Sequence, residues 1–130
     1  MKAVCVYKEL TMRYYWENLP PSLQDQREVL REVIEAMARV RRLRQVILFG
    51  SHVRGQAGPG SDVDLCILAE GAEDQIQTAI QFRHQLRALA GRPALTLLPI
   101  SPHRWQEKQA AGDPFFQTIE QEGKTLAASD

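Results

Sequence analysis

Residues 46–55 read Val-Ile-Leu-Phe-Gly-Ser-His-Val-Arg-Gly, and residues 61–68 read Ser-Asp-Val-Asp-Leu-Cys-Ile-Leu. Each stretch carries a short apolar run of the kind that forms a buried β-strand. The first run stops at Gly50, and Gly-Pro-Gly at residues 58–60 is a strong loop signal. The pattern therefore predicts two strands joined by a short turn or helix, with polar residues at the junctions.

The junction at Gly50 has the features of a phosphate-binding turn. A glycine lets a ligand approach the backbone closely, and N–H groups at the start of a helical turn attract anions. The Ser51 hydroxyl adds a further donor. Arg54 either reaches the phosphates or braces the turn by pairing with a carboxylate, and Ser61 either contacts the ligand or stabilises the loop. We expect His52 to be exposed.

The second junction carries two carboxylates, Asp62 and Asp64. Because side chains alternate along a strand, both project from one face, roughly 6–7 Å apart. Such oxygen ligands suit Mg²⁺, which usually takes one or two carboxylates together with substrate phosphates. Asp-x-Asp alone is common and often has no catalytic role. Its occurrence after Gly50-Ser51, with ten intervening residues, instead favours phosphoryl or nucleotidyl transfer.

Around these two strands, the periodicity predicts helices and strands in alternation. A helix capped by Ser22 and ending near an arginine-rich segment, residues 39–44, precedes the first strand. A helix over residues 72–89 presents Ile76, Ala79, Ile80, Leu86 and Leu89 as its apolar side, and a third strand covers residues 94–100. Ser101 caps a further helix, and Asp113-Pro114 opens a last one with Phe115, Phe116 and Ile119 facing inward. This order predicts an α/β (α+β) fold in which helices flank a small mixed β-sheet.

Two parts are predicted along the chain: an N-terminal extension over residues 1–21 and a folded domain over residues 22–130. A short strand is expected at residues 3–7. The aromatic cluster Tyr14-Tyr15-Trp16 either packs on its own domain or forms an interface, and Pro20-Pro21 breaks the chain.

Composition excludes several classes of protein. The 130 residues carry 16 basic and 16 acidic side chains, so strong phosphate attraction is absent and nucleic acid is an improbable partner. The arginines at residues 39–44 are best read as a solvated helix end, although an acidic partner or RNA is an alternative. Two distant cysteines predict neither a disulfide framework nor a zinc site. Without an export signal or membrane span, we expect a cytoplasmic protein.

The chain resembles the minimal nucleotidyltransferases, small relatives of the DNA polymerase β superfamily. The resemblance rests on Gly50-Ser51, the ten-residue gap, Asp62-x-Asp64, Arg54-Gly55, Ser61 and the tail from Asp113 to Leu126. It implies the nucleotidyltransferase fold, Mg²⁺ held by Asp62 and Asp64, and ATP held by Gly50 and Ser51, with Arg54 and Ser61 beside it. It further implies transfer of AMP to a hydroxyl, often on a helical HEPN-type toxin whose antitoxin the enzyme is.

One departure from the family pattern concerns a third carboxylate on the next strand. The expected position falls on Leu95 or Thr96, and no acid occurs between Asp74 and Glu107. The third acid normally helps to hold metal and orients or deprotonates the attacking hydroxyl. Two hypotheses follow: an enzyme with weakened catalysis, or a binding module that neutralises a protein partner without turnover. An oligomer is a further possibility.

Overall fold

Five strands form one mixed sheet in the computed structural model, which describes residues 12–129. The strands are β1 (Met12–Tyr14), β2 (Leu43–Phe49), β3 (Val63–Ala69), β4 (Leu95–Ile100) and β5 (Lys124–Ser129), in the spatial order β1-β5-β2-β3-β4. Only β3 and β4 run parallel; the other neighbours are antiparallel. The predicted mixed sheet flanked by helices is confirmed, whereas the expected strand at residues 3–7 lies outside the described residues.

Within the described residues, four α-helices cover the sheet: α1 (Arg27–Ala38), α2 (Gln75–Leu86), α3 (Pro102–Ala110) and α4 (Pro114–Glu122). Caps predicted from the sequence are present, since Ser101 accepts from the Arg104 N–H and Asp113 from the Phe115 and Phe116 N–H groups. Within residues 12–129 no helix is long and apolar enough to span a bilayer.

The two faces of the sheet have separate cores. The larger core packs α1 and α2 against the sheet, with Leu30, Ile34 and Phe82 completely buried. The smaller core lies on the opposite face, where Phe116 and Ile119 of α4 pack with Cys66 of β3. Because side chains alternate along a strand, the residues that share the Cys66 face of β3 also lie on the α4 side.

The first predicted helix begins later than expected. Residues Pro21–Gln26 form a 3₁₀ helix, and the α-helix starts at Arg27, so Ser22 is not its cap. The helix also ends at Ala38, and Arg44 lies in β2. Proline at the first 3₁₀ position fits this tighter turn, because its missing N–H would have no partner there.

The apolar side predicted for α2 is partly wrong. Ile76 and Ile80 are 72% and 55% exposed, while Thr78, Phe82 and Leu86 are buried. Thr78 tolerates burial because its hydroxyl donates to the Asp74 carbonyl, 2.9 Å away. The prediction is thus confirmed for Leu86, whereas the helix buries Thr78 and Phe82 in place of the two isoleucines, which lie in solvent.

The aromatic cluster packs on its own domain. Met12–Tyr14 pairs antiparallel with β5, and the Tyr14 and Trp16 rings stack 5.1 Å apart. Arg31 of α1 lies over the Tyr14 ring at 4.8 Å. Burial, and then the negative Glu35, raise the pKa of the Tyr14 phenol.

Candidate functional site

Gly50 ends β2 and turns the chain toward β3. Its φ is +83°, a left-handed conformation that side chains other than glycine rarely adopt. A Cβ at this position would lie 1.9 Å from Asp64 Oδ2. Glycine therefore lets the turn and the carboxylate lie side by side, whereas any other residue would be strained at this φ and would displace the Asp64 side chain.

The segment after Gly50 forms one hydrogen-bonded turn. The N–H groups of Val53 and Arg54 both donate to the Gly50 carbonyl at 3.2 Å. As at the start of a helix, the leading N–H groups of such a turn have no carbonyl partner inside it. The N–H groups of Ser51 and His52 are therefore candidate donors to an anion.

Asp62 and Asp64 lie on the α4 side of the sheet, as their spacing predicts. Asp64 pairs in register with Phe49 of β2 and with Thr96 of β4. The Thr96 hydroxyl donates to Asp62 Oδ2 at 3.1 Å. Thr96 is exposed whereas Leu95 is buried, so Thr96 occupies the position beside the carboxylates at which a third acid was expected.

A cleft of about 280 Å³ opens beside Asp64, between the Gly50 turn and α4. Its walls combine an apolar part from strand and helix with polar groups at the rim, contributed by Phe49, Gly50, Arg54, Asp64, Phe115, Thr118, Ile119 and Glu122. Phe115 was expected to face inward, but it is 51% exposed and meets Phe49 edge-on, 6.1 Å between centroids. It forms a wall of the cleft rather than part of the core.

Arg54 and Ser61 lie at the edges of this region. The Arg54 guanidinium is 3.8 Å from Glu122 and donates to Gln56 at 3.2 Å. Both partners of the ion pair are about half exposed, and such pairs contribute about 0–1 kcal/mol, so Arg54 is easily released to another anion. The Ser61 hydroxyl accepts from the Gly58 N–H at 2.8 Å and closes the loop before β3.

The expectation that His52 is exposed is wrong. Its side chain is 7% exposed, and Nδ1 lies 2.8 Å from the Ser22 hydroxyl. This bond joins the Gly50 turn to the 3₁₀ helix thirty residues earlier. His52 thus fixes the Gly50 turn to the 3₁₀ helix that precedes α1.

Comparison with known families agrees with this geometry. The model of the nucleotidyltransferase domain matches residues 30–119, more than half of the chain. The chain belongs to the nucleotidyltransferase domain family. No curated protein matches it closely enough to identify a nearer relative.

The match covers every part of the site except the end of α4. Gly50, Asp62, Asp64 and Thr96 all fall inside residues 30–119, and Glu122 lies just beyond. The nucleotidyltransferase domain assigns the chain to the transferase class and implies a nucleoside triphosphate as substrate. The domain also implies a divalent metal.

The donors fit such a metal only in a minimal form. Asp62 and Asp64 offer carboxylate oxygens on one face, which is enough for Mg²⁺ when phosphates complete its shell. Among residues 12–129 no group of three or more His, Cys, Asp or Glu side chains could hold a metal on its own. Glu70, the next acid along the chain, pairs with Arg44 at 2.8 Å instead.

Sequence reasoning missed Thr118 and Glu122, which line the cleft from α4. Their sequence signal is weak, because only the packing of α4 beside β2 brings them near Asp64. Cys66 is a free and buried cysteine on the α4 side of the sheet. Burial raises the pKa of the Cys66 thiol to about 12, so this thiol is not a nucleophile at neutral pH.

Proposed function

We propose that this nucleotidyltransferase binds Mg²⁺ and ATP at the Gly50 turn and transfers AMP to a hydroxyl group of a partner protein. The observation that carries the proposal is the contact between Gly50 and Asp64, where a Cβ would lie 1.9 Å from the carboxylate oxygen. A phosphate-binding turn and a metal-binding carboxylate are thereby held in contact before any ligand arrives.

Each element of the site has a distinct part in this chemistry. The backbone of Gly50 and Ser51 binds the triphosphate, and Arg54 leaves Glu122 to neutralise it. Asp62 and Asp64 would hold Mg²⁺, which supplies charge neutralisation and polarisation of the α-phosphate when bound. Ser61 keeps the loop that presents Asp62 closed. The hydroxyl oxygen attacks the α-phosphorus, the bond to the bridging oxygen breaks, and pyrophosphate leaves.

The attacking hydroxyl must lose a proton, and the site offers little help. Thr96 stands beside Asp62 and is not a general base near neutral pH. General-base assistance typically contributes about 10²–10⁴-fold. We therefore propose slow transfer, with an acceptor such as a tyrosine or serine of a HEPN-type helical protein for which this chain acts as antitoxin.

A second candidate function rests on the same threonine. With Thr96 in place of an acid, a nucleotidyltransferase domain that neutralises its protein partner by binding alone is also consistent with the site. The two candidate functions differ in one measurable product: only transfer leaves a nucleotide covalently attached to the partner protein.

The test is to incubate the protein with ATP radiolabelled on its α-phosphate, Mg²⁺ and a candidate partner, a small helical protein sought in the neighbouring reading frame. Label on the partner, absent with an Asp64→Asn variant, supports transfer. Stable complex formation without label in the wild type would remove transfer and leave the binding function. ATP labelled on the γ-phosphate is the control, because AMP transfer leaves that label in pyrophosphate.

A further inference from the structure

The exposed side of α2 is the most apolar helix surface that the described residues leave in solvent. Ile76 and Ile80 are two of the three large hydrophobic side chains exposed in residues 12–129. They lie four residues apart, so they are neighbours on one side of the helix. The third, Phe115, belongs to the cleft described above.

A groove of about 440 Å³ runs beside this apolar pair, lined by Arg41, Gln77, Ile80, Gln81 and His84. Its wall is held in place, because Arg41 donates to Gln81 at 2.8 Å and to the Gly71 carbonyl at 3.0 Å. This part of the groove is therefore ordered before anything binds, which lowers the entropic cost of binding.

Charge is distributed unequally along α2. Exposed acids, Glu73 and Asp74, precede its first turn, and exposed bases, Arg83, His84 and Arg87, mark its end. This distribution also complements the helix dipole. A second helix that lay across the isoleucines in the same direction would face like charges, whereas an antiparallel one would face opposite charges at both ends.

We propose that the Ile76–Ile80 surface binds a second copy of this chain, with the two α2 helices antiparallel about a two-fold axis. With the axis between the two isoleucines, Ile76 of one copy meets the second copy's Ile80 and enters the groove beside it. Glu73 then lies near the second copy's Arg87, whereas the Arg83 guanidinium is already bonded to the Leu95 carbonyl of its own copy at 3.1 Å. Such a surface is self-complementary, as a two-fold interface requires.

The size of the surface sets the expected strength of this dimer. A helix of 12 residues is about 18 Å long, so α2 alone covers less than the ~800 Å² per partner of a standard interface. We expect reversible dimerisation with a dissociation constant of about 1–100 μM. The Gly50 cleft lies on the other side of the sheet and does not take part.

Sedimentation equilibrium over a concentration series around that range tests the proposal. The wild type should pass from 14.7 kDa toward twice that mass, and Ile76→Glu should remain monomeric. Glutamate suits the first turn of a helix, so this variant should fold, which circular dichroism checks. Gln106→Glu, which adds the same charge on the exposed side of α3, is the matched control and should dimerise like the wild type.

A charge exchange tests the antiparallel arrangement. Glu73→Arg and Arg87→Glu should each weaken the dimer about tenfold, and the double variant should restore it because opposite charges meet again. A wild type that stays monomeric at every concentration overturns the proposal, as does a dimer that Ile76→Glu leaves intact. Failure of the double variant to recover would overturn the antiparallel pairing.

Discussion

Replacement of Gly50 by alanine tests the contact on which the site depends. The added Cβ meets two costs: a φ of +83° and a position 1.9 Å from Asp64 Oδ2. The left-handed conformation alone costs about 1–2 kcal/mol for an L-residue. Relief of the overlap requires the Asp64 side chain to leave its position, at about 0.5–1.5 kcal/mol for a displaced rotamer.

Gly60 provides the matched control. Its φ is +80°, and a Cβ there would meet nothing within 4 Å. Gly60→Ala should therefore lose the same 1–2 kcal/mol of unfolding free energy and keep its carboxylates in place. The difference between the two alanine variants isolates the collision with Asp64.

The assay combines urea denaturation with calorimetric titration of ATP in the presence of Mg²⁺. Gly50→Ala should unfold about 1 kcal/mol more easily than Gly60→Ala and bind Mg·ATP at least tenfold more weakly, whereas Gly60→Ala should bind normally. Equal affinity in both variants would refute the reasoning, because the turn would then hold neither phosphate nor Asp64.

Three further predictions concern neighbouring positions. Thr96→Asp should lower the melting temperature without Mg²⁺, raise it with Mg²⁺ and speed AMP transfer. Leu95→Asp instead buries a charge and should unfold the protein. A Thr96→Asp melting temperature that is the same with and without Mg²⁺ would contradict this. Ser22→Ala should cost about 1–3 kcal/mol in urea denaturation because it removes the partner of buried His52, whereas Gln24→Ala does not touch the imidazole. In a Cys5→Ser background, Cys66 of the folded protein should resist a thiol reagent at pH 8 and react once the protein is unfolded. Because burial raises the pKa of Cys66 from 9.0 to about 12, the free energy of unfolding should be constant below pH 9 and should fall as the pH rises through 12. The fall should be smaller in Cys66→Ala.

The central motif was predictable because its signals are local. Gly50 ends an apolar run, and the alternation of Asp62 with Asp64 fixes their common face whatever surrounds them. The loop signal at residues 58–60 then limits the distance between turn and strand. These features need no knowledge of distant contacts.

The errors arose where long-range packing decides. Periodicity places Ile76 and Ile80 on the apolar side of α2 because the helix carries apolar residues on two sides. Only the contacts with α1 and β4 decide that Phe82 is buried instead. His52 was expected outside because its partner Ser22 lies thirty residues away. The pairing of β1 with β5 joins residues more than one hundred positions apart. The division at residue 21 stays a prediction, although β1 belongs to the main sheet.

The position expected for a third acid depends on how β4 pairs with β3. The family resemblance places a third acid at Leu95 or Thr96, where this sequence has none, and the parallel register of β3 with β4 brings Thr96 rather than Leu95 opposite Asp64. Parallel register depends on a crossover through α2, whose length the sequence does not determine to a single residue.

The most direct test of the account is a titration of ATP with and without Mg²⁺ into the wild type and the Asp62→Asn/Asp64→Asn double variant. Asparagine keeps the size of each side chain and removes its charge, so circular dichroism should show the same fold. The account predicts that Mg²⁺ strengthens ATP binding to the wild type and that the double variant loses this gain. Equal strengthening by Mg²⁺ in both proteins would contradict the assignment of Asp62 and Asp64 as the metal-binding carboxylates.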